Sequence, residues 1–533
     1  MNKIFNICML FLLLLPFALP AQEALKSIEE NYYDFLALQG LTKRPALNYR
    51  TLSDSVWIIE EETEHPWQGN NLGVFHPLFG NFRMRAYGPE LFMSVNTTAP
   101  YGHNDGILWQ GRGFNSLFKG GVRLEGYGVE LTIFPHFSFS QNTGYEILPS
   151  WYDSEYGYFW GYGDPKSNKG GMDAPQRFGN KPFFDWDFGD SEIRYTWKTL
   201  TVGFGTQAIW LGPSYINPIL HSNNAPTYPK FDIGLRRQKV TIPWLDWYAG
   251  DIEFRYWLGR LTESDYFDND DSNNYTMFHG ISIAYAPSFL SGLTLFFNRV
   301  CLAPWDLGNL KYIYDVVNDL EDQKASVGLS WIFPQVGFEV FGELGIDDWS
   351  SFTKHPFHTT VFNCGFKKIL PIKPVQKIYG ELLFELSYME KTPDYIRPYS
   401  FYSHHQLAQG YTNKGQWLGN AESPVGNAQS LKFTLYYPKG NSGIMISRNN
   451  PNNHYIYERA TVVSSDVYHN AYWTNLNLDI DSVYFFNSYF IIFGGLSYNR
   501  IIDRNYIIKY LLDPPEDTIV NNFSFQLGVK FIL

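Results

Sequence analysis

The chain has 533 residues, a formal net charge of −12, 18% aromatic residues and only three cysteines. Its acidic balance argues against nucleic acid as a partner and leaves neutral or charge-poor ligands open. Three cysteines are too few for a disulfide framework, and no segment beyond the N-terminus offers the roughly 20 consecutive apolar residues of a spanning helix.

Residues 1–21 read as a cleaved secretory signal peptide. Lys3 supplies the positive end, Ile4 to Leu15 the apolar run, and Ala18 to Ala21 the small-residue exit before Gln22. Pro16 and Pro20 follow an apolar run too short for a membrane anchor. Residues 22–70 form a periplasmic helical segment in this reading. Ala24 to Gln39 carries an apolar stripe of Leu25, Ile28, Tyr32, Phe35 and Leu36, with Glu29, Glu30 and Asp34 opposite and Gly40 as a stop. Such a helix is either an ordinary packing element or a periplasmic cap.

From residue 71 to 533 the chain reads as strand after strand. Glu90–Asn96 is the expected first strand, and Asn81–Tyr87 either belongs to another pair or does not. Ile193, Tyr195 and Trp197 oppose Glu192, Arg194 and Thr196, and a tight hairpin at Lys198–Thr199 leads into a second run. That run, Leu200 to Trp210, alternates with Leu200, Val202, Phe204, Ala208 and Trp210 on its apolar face. Further on, Glu253, Arg255, Glu339, Glu343, Glu381 and Glu385 fall on the faces opposite apolar ones. Inward carboxylates suit a hydrated lumen and are costly in a dry sandwich core. The connections alternate in length, short at Pro243–Trp247, Pro287–Gly292, Phe333–Val336, Pro438–Ser442 and Tyr484–Ser488, and long in between. Outer-membrane barrels sort their loops this way, and export leaves a closed barrel as the means of crossing a bilayer. The expected fold is all-β: a transmembrane antiparallel β-barrel of about 18 strands, ending on the aromatic-rich strand Phe523 to Phe531 and preceded by the short helical segment.

One long connection is unusual. Gly212 to Pro229 carries Leu211, Tyr215, Ile216, Ile219 and Leu220 at or within it, together with Pro213, Pro218, Pro226 and Pro229. So apolar a loop is expected to fold into the lumen and plug it.

Several segments together resemble the Wzi-type capsule-assembly proteins of the outer membrane. They are Gly111–Asn115, Met172–Gly179, Trp210–Pro213 with Ser222–Pro226, Asp322-Gln323 leading to Glu339–Asp348, and Gly415–Gly419 running into Gly426-Asn427. The resemblance covers roughly Asn71 to Leu533. It implies a monomeric barrel, integral to the outer membrane of a Gram-negative bacterium, that binds capsular or extracellular polysaccharide and helps assemble or retain it at the surface. Outer-membrane lipids surround such a barrel, and the polysaccharide export machinery is its expected neighbour. The alternative reading is a porin for oligosaccharides.

Binding chemistry points to Pro149–Gly163, where Trp151, Tyr156, Tyr158, Trp160 and Tyr162 crowd one expected outer loop. Flat aromatic rings stack on the C–H faces of sugars, and their polar tips add hydrogen bonds. A girdle at the membrane boundary is the other reading, although a girdle spreads over many strands. Asn217, Asn223 and Asn224 are candidates for amide contacts to the glycan, or else fix turns. No catalytic constellation, metal site or cofactor motif is expected: Asp185, Asp187, Asp190, Asp246, Asp251 and Glu253 read as solvated or lumen-wall acids, and His355, His358, His404 and His405 as loop histidines. Cys301 and Cys364 are expected to be unpaired packing cysteines.

Overall fold

The computed structural model describes residues 21–22, 27–59, 63–147, 172–267, 271–313, 321–347, 360–390, 401–404, 407, 409–453, 473–503 and 519–533. Nearly all of the signal peptide, the aromatic run from Trp151 to Tyr162, and His355, His358 and His405 lie outside the described residues.

Among the described residues, eighteen antiparallel staves close into one barrel. In chain order they are β1 (Arg83–Asn96), β2 (Gly113–Gly126), β3 (Val129–Ile133 and His136–Ser140), β4 (Phe183–Asp187 and Glu192–Trp197), β5 (Leu200–Gly205) and β6 (Lys230–Ile242). Next come β7 (Trp247–Thr262), β8 (Tyr275–Pro287), β9 (Leu293–Pro304), β10 (Asp322–Phe333), β11 (Phe338–Asp347) and β12 (Thr360–Lys373). The circuit ends with β13 (Ile378–Tyr388), β14 (Asn427–Tyr437), β15 (Gly440–Asn450), β16 (Thr474–Asn487), β17 (Phe490–Ile502) and β18 (Ile519–Phe531). Closure comes from β18 pairing with β1, Ser524 opposite Asn96 through to Lys530 opposite Glu90. The first stave is longer than Glu90–Asn96, because Arg83–Tyr87 continues the same strand across an irregularity in its pairing.

The wall follows the period of two. Ile193, Tyr195, Trp197, Leu200, Phe204, Phe523, Phe525 and Leu527 are exposed on the outside, whereas Glu192, Arg194, Thr201 and Ser524 are buried inside. An outward apolar band matched to lipid and an inward polar face is the arrangement a bilayer demands. Cys301 and Cys364 are both free thiols.

One sequence expectation fails here. The run from Leu200 is not an eleven-residue strand: β5 stops at Gly205, and Trp210 is fully buried inside the barrel rather than on the apolar wall. The reason is local hydrogen bonding. Thr206 Oγ1 donates to Gly189 O at 2.7 Å and Ala208 N to Asp190 Oδ1 at 3.0 Å, which lifts the chain off the ladder and turns it inward.

At the short-turn end sits helix α1 (Ile28–Leu38). Ser27 caps it, its Oγ accepting from Glu30 N at 3.1 Å, and Gly40 at φ +74° ends it, with Leu41 N donating back to Leu36 O. The acidic side of the helix is buried as well as the apolar one. Glu29 accepts from Lys530 Nζ at 2.6 Å, and Asp34 pairs with Arg44 at 2.7 Å and Lys367 at 3.1 Å. Tyr32 stacks on Trp67 (3.8 Å between ring centres) and Phe35 on Tyr436 (4.0 Å). Phe485, Ile491 and Ile532 complete this apolar stopper.

Candidate functional site

Two segments fill the lumen above the helix. Residues 44–55 run up inside the barrel, tied to inward carboxylates. Glu253 accepts from the backbone N–H groups of Leu47 (2.7 Å), Asn48 (3.0 Å) and Tyr49 (2.7 Å). Asp54 pairs with Arg236 at 2.9 Å and Arg255 at 3.0 Å. Nothing in the sequence of 44–55 marks it as a lumen segment, since it is short, mixed and without periodicity. The second segment is the apolar loop after β5, which folds inward as its composition predicts: Leu211, Ile219 and Leu220 are fully buried. Glu385 of β13 holds this loop. Its carboxylate accepts from Tyr215 N (2.8 Å), Ile216 N (3.1 Å), Asn217 N (2.7 Å) and Ser214 Oγ (2.7 Å). A buried carboxylate and three backbone donors satisfy each other, so neither is left unpaired in the interior.

The two segments also grip each other. Arg50 and Trp210 exchange backbone hydrogen bonds, Gly212 N donates to Asn48 Oδ1 at 3.0 Å, and Arg50 Nη2 donates to Gly212 O at 2.7 Å. Gly212 has φ +83°, and a Cβ there would collide with the Glu343 carboxylate. The position therefore needs glycine.

On the long-loop side of this plug lies a cleft of about 230 Å³. One wall is formed by the amides of Asn449, Asn475, Asn477 and Asn499 on the inner faces of β15, β16 and β17, backed by a hydrogen-bonded row that runs from Ser447 to Asn522 of β18. Asn477 Nδ2 donates to Ser447 Oγ (2.9 Å), Asn499 Nδ2 to Asn477 Oδ1 (3.3 Å), and Asn522 Nδ2 to Asn499 Oδ1 (3.0 Å). Neighbouring strands put these residues opposite one another, so each amide orients the next. A second wall is the loop after β1, where Asn96 Nδ2 donates to the carbonyls of Tyr101, Gln110 and Gly111. Tyr101 Oη donates to Asp479 Oδ1 at 2.6 Å, and Gln110 Nε2 to Asp105 Oδ2 at 2.7 Å. Burial raises the Asp105 carboxyl above its usual range. Trp109 and Trp417 supply the aromatic surface of the cleft.

The asparagines singled out from sequence lie at or beneath this cleft. Asn224 lines it, but its amide is engaged at both ends, accepting from Asn104 N (2.9 Å) and donating to Trp417 O (3.0 Å). Asn217 Nδ2 donates to Glu422 Oε2 at 2.8 Å, and Asn223 O accepts from Gly106 N at 2.8 Å. Their contacts in the protein join loop to loop. Trp151, Tyr156, Tyr158, Trp160 and Tyr162 are outside the described residues. Sequence reasoning passed over Trp109, Asn449, Asn475, Asn477, Asn499 and Glu422. The alternating Asn475, Asn477 on one inner strand face was the available signal. Among the described residues no cluster of three His, Cys, Asp or Glu side chains has the geometry to hold a metal.

The fold and site define a class: a closed 18-stranded outer-membrane-type β-barrel with a filled lumen and an amide- and aromatic-lined cleft at its long-loop end. Comparison with known proteins narrows it. The family model described as capsule assembly protein Wzi matches residues 180–302. Among solved structures, the chain is similar to the Escherichia coli outer-membrane protein Wzi, involved in group 1 capsule assembly and described as a carbohydrate-binding β-barrel. That likeness has a TM-score of 0.60 at 13% identity, over 97% of this chain and 100% of that one. Pseudomonas putida OprB (TM-score 0.37, 10% identity, 85% of this chain and 94% of that one) and Pseudomonas aeruginosa OccD3 (0.39, 10%, 87% and 95%) are far looser matches. No curated protein matches the chain. The resemblance read from the sequence is therefore recovered as a family match over 180–302, with the barrel fold shared along almost the whole chain.

Proposed function

We propose that this chain is an integral outer-membrane protein that binds surface polysaccharide at its long-loop end and holds it to the cell, without turning it over. The observation that carries this reading is the capsule-assembly family match over 180–302, the stretch that includes the inward-folded loop and Asn217, Asn223 and Asn224. The cleft agrees with it, since amides offer both donors and acceptors to hydroxyl groups and the tryptophans offer stacking faces. In this reading residues 1–21 are removed on export, α1 within 22–70 faces the periplasm next to the export machinery while residues 44–55 of the same segment reach into the lumen, and residues 71–533 form a monomeric barrel surrounded by outer-membrane lipids. In this reading Trp151, Tyr156, Tyr158, Trp160 and Tyr162 stack on the glycan, and Asn217, Asn223 and Asn224 serve the same site from the loops at and beneath the cleft.

The porin alternative loses support from the lumen itself, where residues 44–55 and the loop after β5 occupy the space a solute would need.

The test has two parts. Membrane fractionation recovers the protein in carbonate-resistant membranes, and purified protein captures the polysaccharide shed by the same cells. Replacing Trp151, Trp160 and Tyr162 with Ala weakens capture by roughly one to three tenfold steps, at about 0.5–1.5 kcal/mol per stacked ring. Cells carrying that variant release more polysaccharide at unchanged total synthesis. Recovery as a soluble protein, or no capture by the parent, ends this reading.

A further inference from the structure

The charge of the cleft decides which glycans fit it. Among the described residues that line it there is one histidine, His103, and no lysine or arginine, while Asp105 and Glu422 are both present. Glu422 is buried and accepts from Asn217 Nδ2 at 2.8 Å and from Asn449 Nδ2 at 3.3 Å. Behind the cleft, Asp479 bonds to Tyr101. By contrast, the arginines that fill the lower lumen are spoken for: Arg194 pairs with Glu192 and Asp232, and Arg255 with Asp232 and Asp54. Among the described lining residues, an anionic sugar entering the cleft would thus face the carboxylates of Asp105 and Glu422 and no lysine or arginine. Like-charge juxtaposition in a partly desolvated site is a strong device for rejecting a partner.

The polar atoms left open have the opposite preference. Asn449 is buried, and its Oδ1 has no hydrogen-bond partner among the described residues. That oxygen seeks a donor, such as a sugar hydroxyl or an N-acetyl N–H, and it repels a carboxylate or a sulfate. Trp109 Nε1 is likewise buried without a partner among the described residues and seeks an acceptor, which a ring or hydroxyl oxygen provides without any charge. Burial raises the Asp105 carboxyl above its usual range, against the opposing pull of the Gln110 hydrogen bond, His103 and Lys119.

We infer that the cleft takes an uncharged stretch of glycan, neutral hexoses or N-acetylamino sugars, and excludes residues bearing carboxylate, phosphate or sulfate. This rests on the polysaccharide-binding reading and narrows it. The cleft is smaller than the roughly 300–1,000 Å³ of sites for drug-sized ligands, so it grips a short part of a polymer whose acidic groups, if any, stay outside.

The experiment uses the full-length detergent-solubilised barrel and the cell's own purified surface polysaccharide in two forms. One is native; in the other, carboxyl groups are reduced to alcohols and acid esters are removed. Affinity is measured by biolayer interferometry for the parent and for Trp109→Ala and Asn477→Ser, with heat-modifiability on gels as the check that each variant is folded. The inference predicts that the neutralised polymer binds at least as tightly as the native one, and that folded Trp109→Ala weakens both about tenfold. A loss of tenfold or more on neutralising the polymer overturns the uncharged class and leaves polysaccharide binding standing. Parent-like affinity in both folded variants removes the cleft as the site. Failure of the parent to bind the native polymer removes the function proposed above, and this inference with it.

Discussion

The two ends of the barrel are closed by different physics. The short-turn end is sealed by packed rings: Tyr32 on Trp67, Phe35 on Tyr436, and Trp67 edge-on to Phe485, anchored by hydrogen bonds from Trp67 Nε1 to Gly440 O at 2.9 Å and from Trp67 N to Tyr32 Oη at 2.8 Å and by the ion pairs of Glu29 and Asp34. The long-loop half has its own apolar cluster around Leu211, Ile219 and Leu220, but adds directional polar contacts, carboxylates against backbone N–H groups and amide against amide. Apolar packing is non-directional and tolerates small shifts, which suits a seal. Hydrogen-bonded networks fix positions and stay open to exchange with a polar ligand, which suits recognition.

The sharpest way to break this contrast is at Glu385. Glu385→Leu takes the acceptor from three N–H groups of the inward loop, each about 1–3 kcal/mol when left unsatisfied. The loop should leave the lumen, so planar-bilayer recordings should show a large conductance where the parent shows little. An unchanged, closed trace would mean that packing rather than the carboxylate holds the plug.

Trp67→Ala acts at the other end and should cost about 3–5 kcal/mol, the range for removing a buried large aromatic. Limited proteolysis from the short-turn side should then release α1, while polysaccharide affinity changes by less than about twofold, because the cleft lies beyond the intact plug. A parallel loss of affinity would show the two ends to be coupled through residues 44–55.

A smaller effect concerns pH. His221 lies in the inward loop, its Nδ1 near Ile209 O (2.8 Å) and Nε2 near Tyr228 Oη (2.7 Å), and burial lowers its pKa to about 3. An unfolded histidine takes its proton near 6.5, so the stability it contributes is complete above that pH and is lost as pH falls toward 3. Between pH 7.5 and 5 the inward loop should lose at most about 2 kcal/mol of protection from hydrogen exchange. His221→Gln should flatten that dependence, whereas the aromatic seal at α1 should show no matching change. An unaltered slope in the variant would assign the pH response to other groups.

Much of this was legible in the chain before any folding. Alternation at Ile193–Trp197 and Phe523–Phe531, loop lengths that alternate, and polar residues opposite apolar ones define a barrel, because lipid on one side and a lumen on the other impose a period of two on every stave. The apolar character of Leu211, Ile219 and Leu220 likewise required burial, and the lumen was the space available to receive them. The apolar stripe predicts a helix over Ala24–Gln39, and α1 starts later, at Ile28, where the Ser27 hydroxyl caps it.

The site was not legible in the same way. Ser447, Asn477, Asn499 and Asn522 come from four strands and form one row only through pairing register, which no local pattern encodes. Trp210 looked like a wall residue because the alternation of β5 continues past Gly205 on paper, and only hydrogen bonds to Gly189 and Asp190 end it. Residues 44–55 carry no periodic signal at all, since their conformation is dictated by carboxylates some two hundred residues away, Glu253 foremost. Sequence determined the wall because each stave meets lipid independently of the others. Tertiary structure decided the plug and the cleft because both are made of partners that only closure of the barrel brings together.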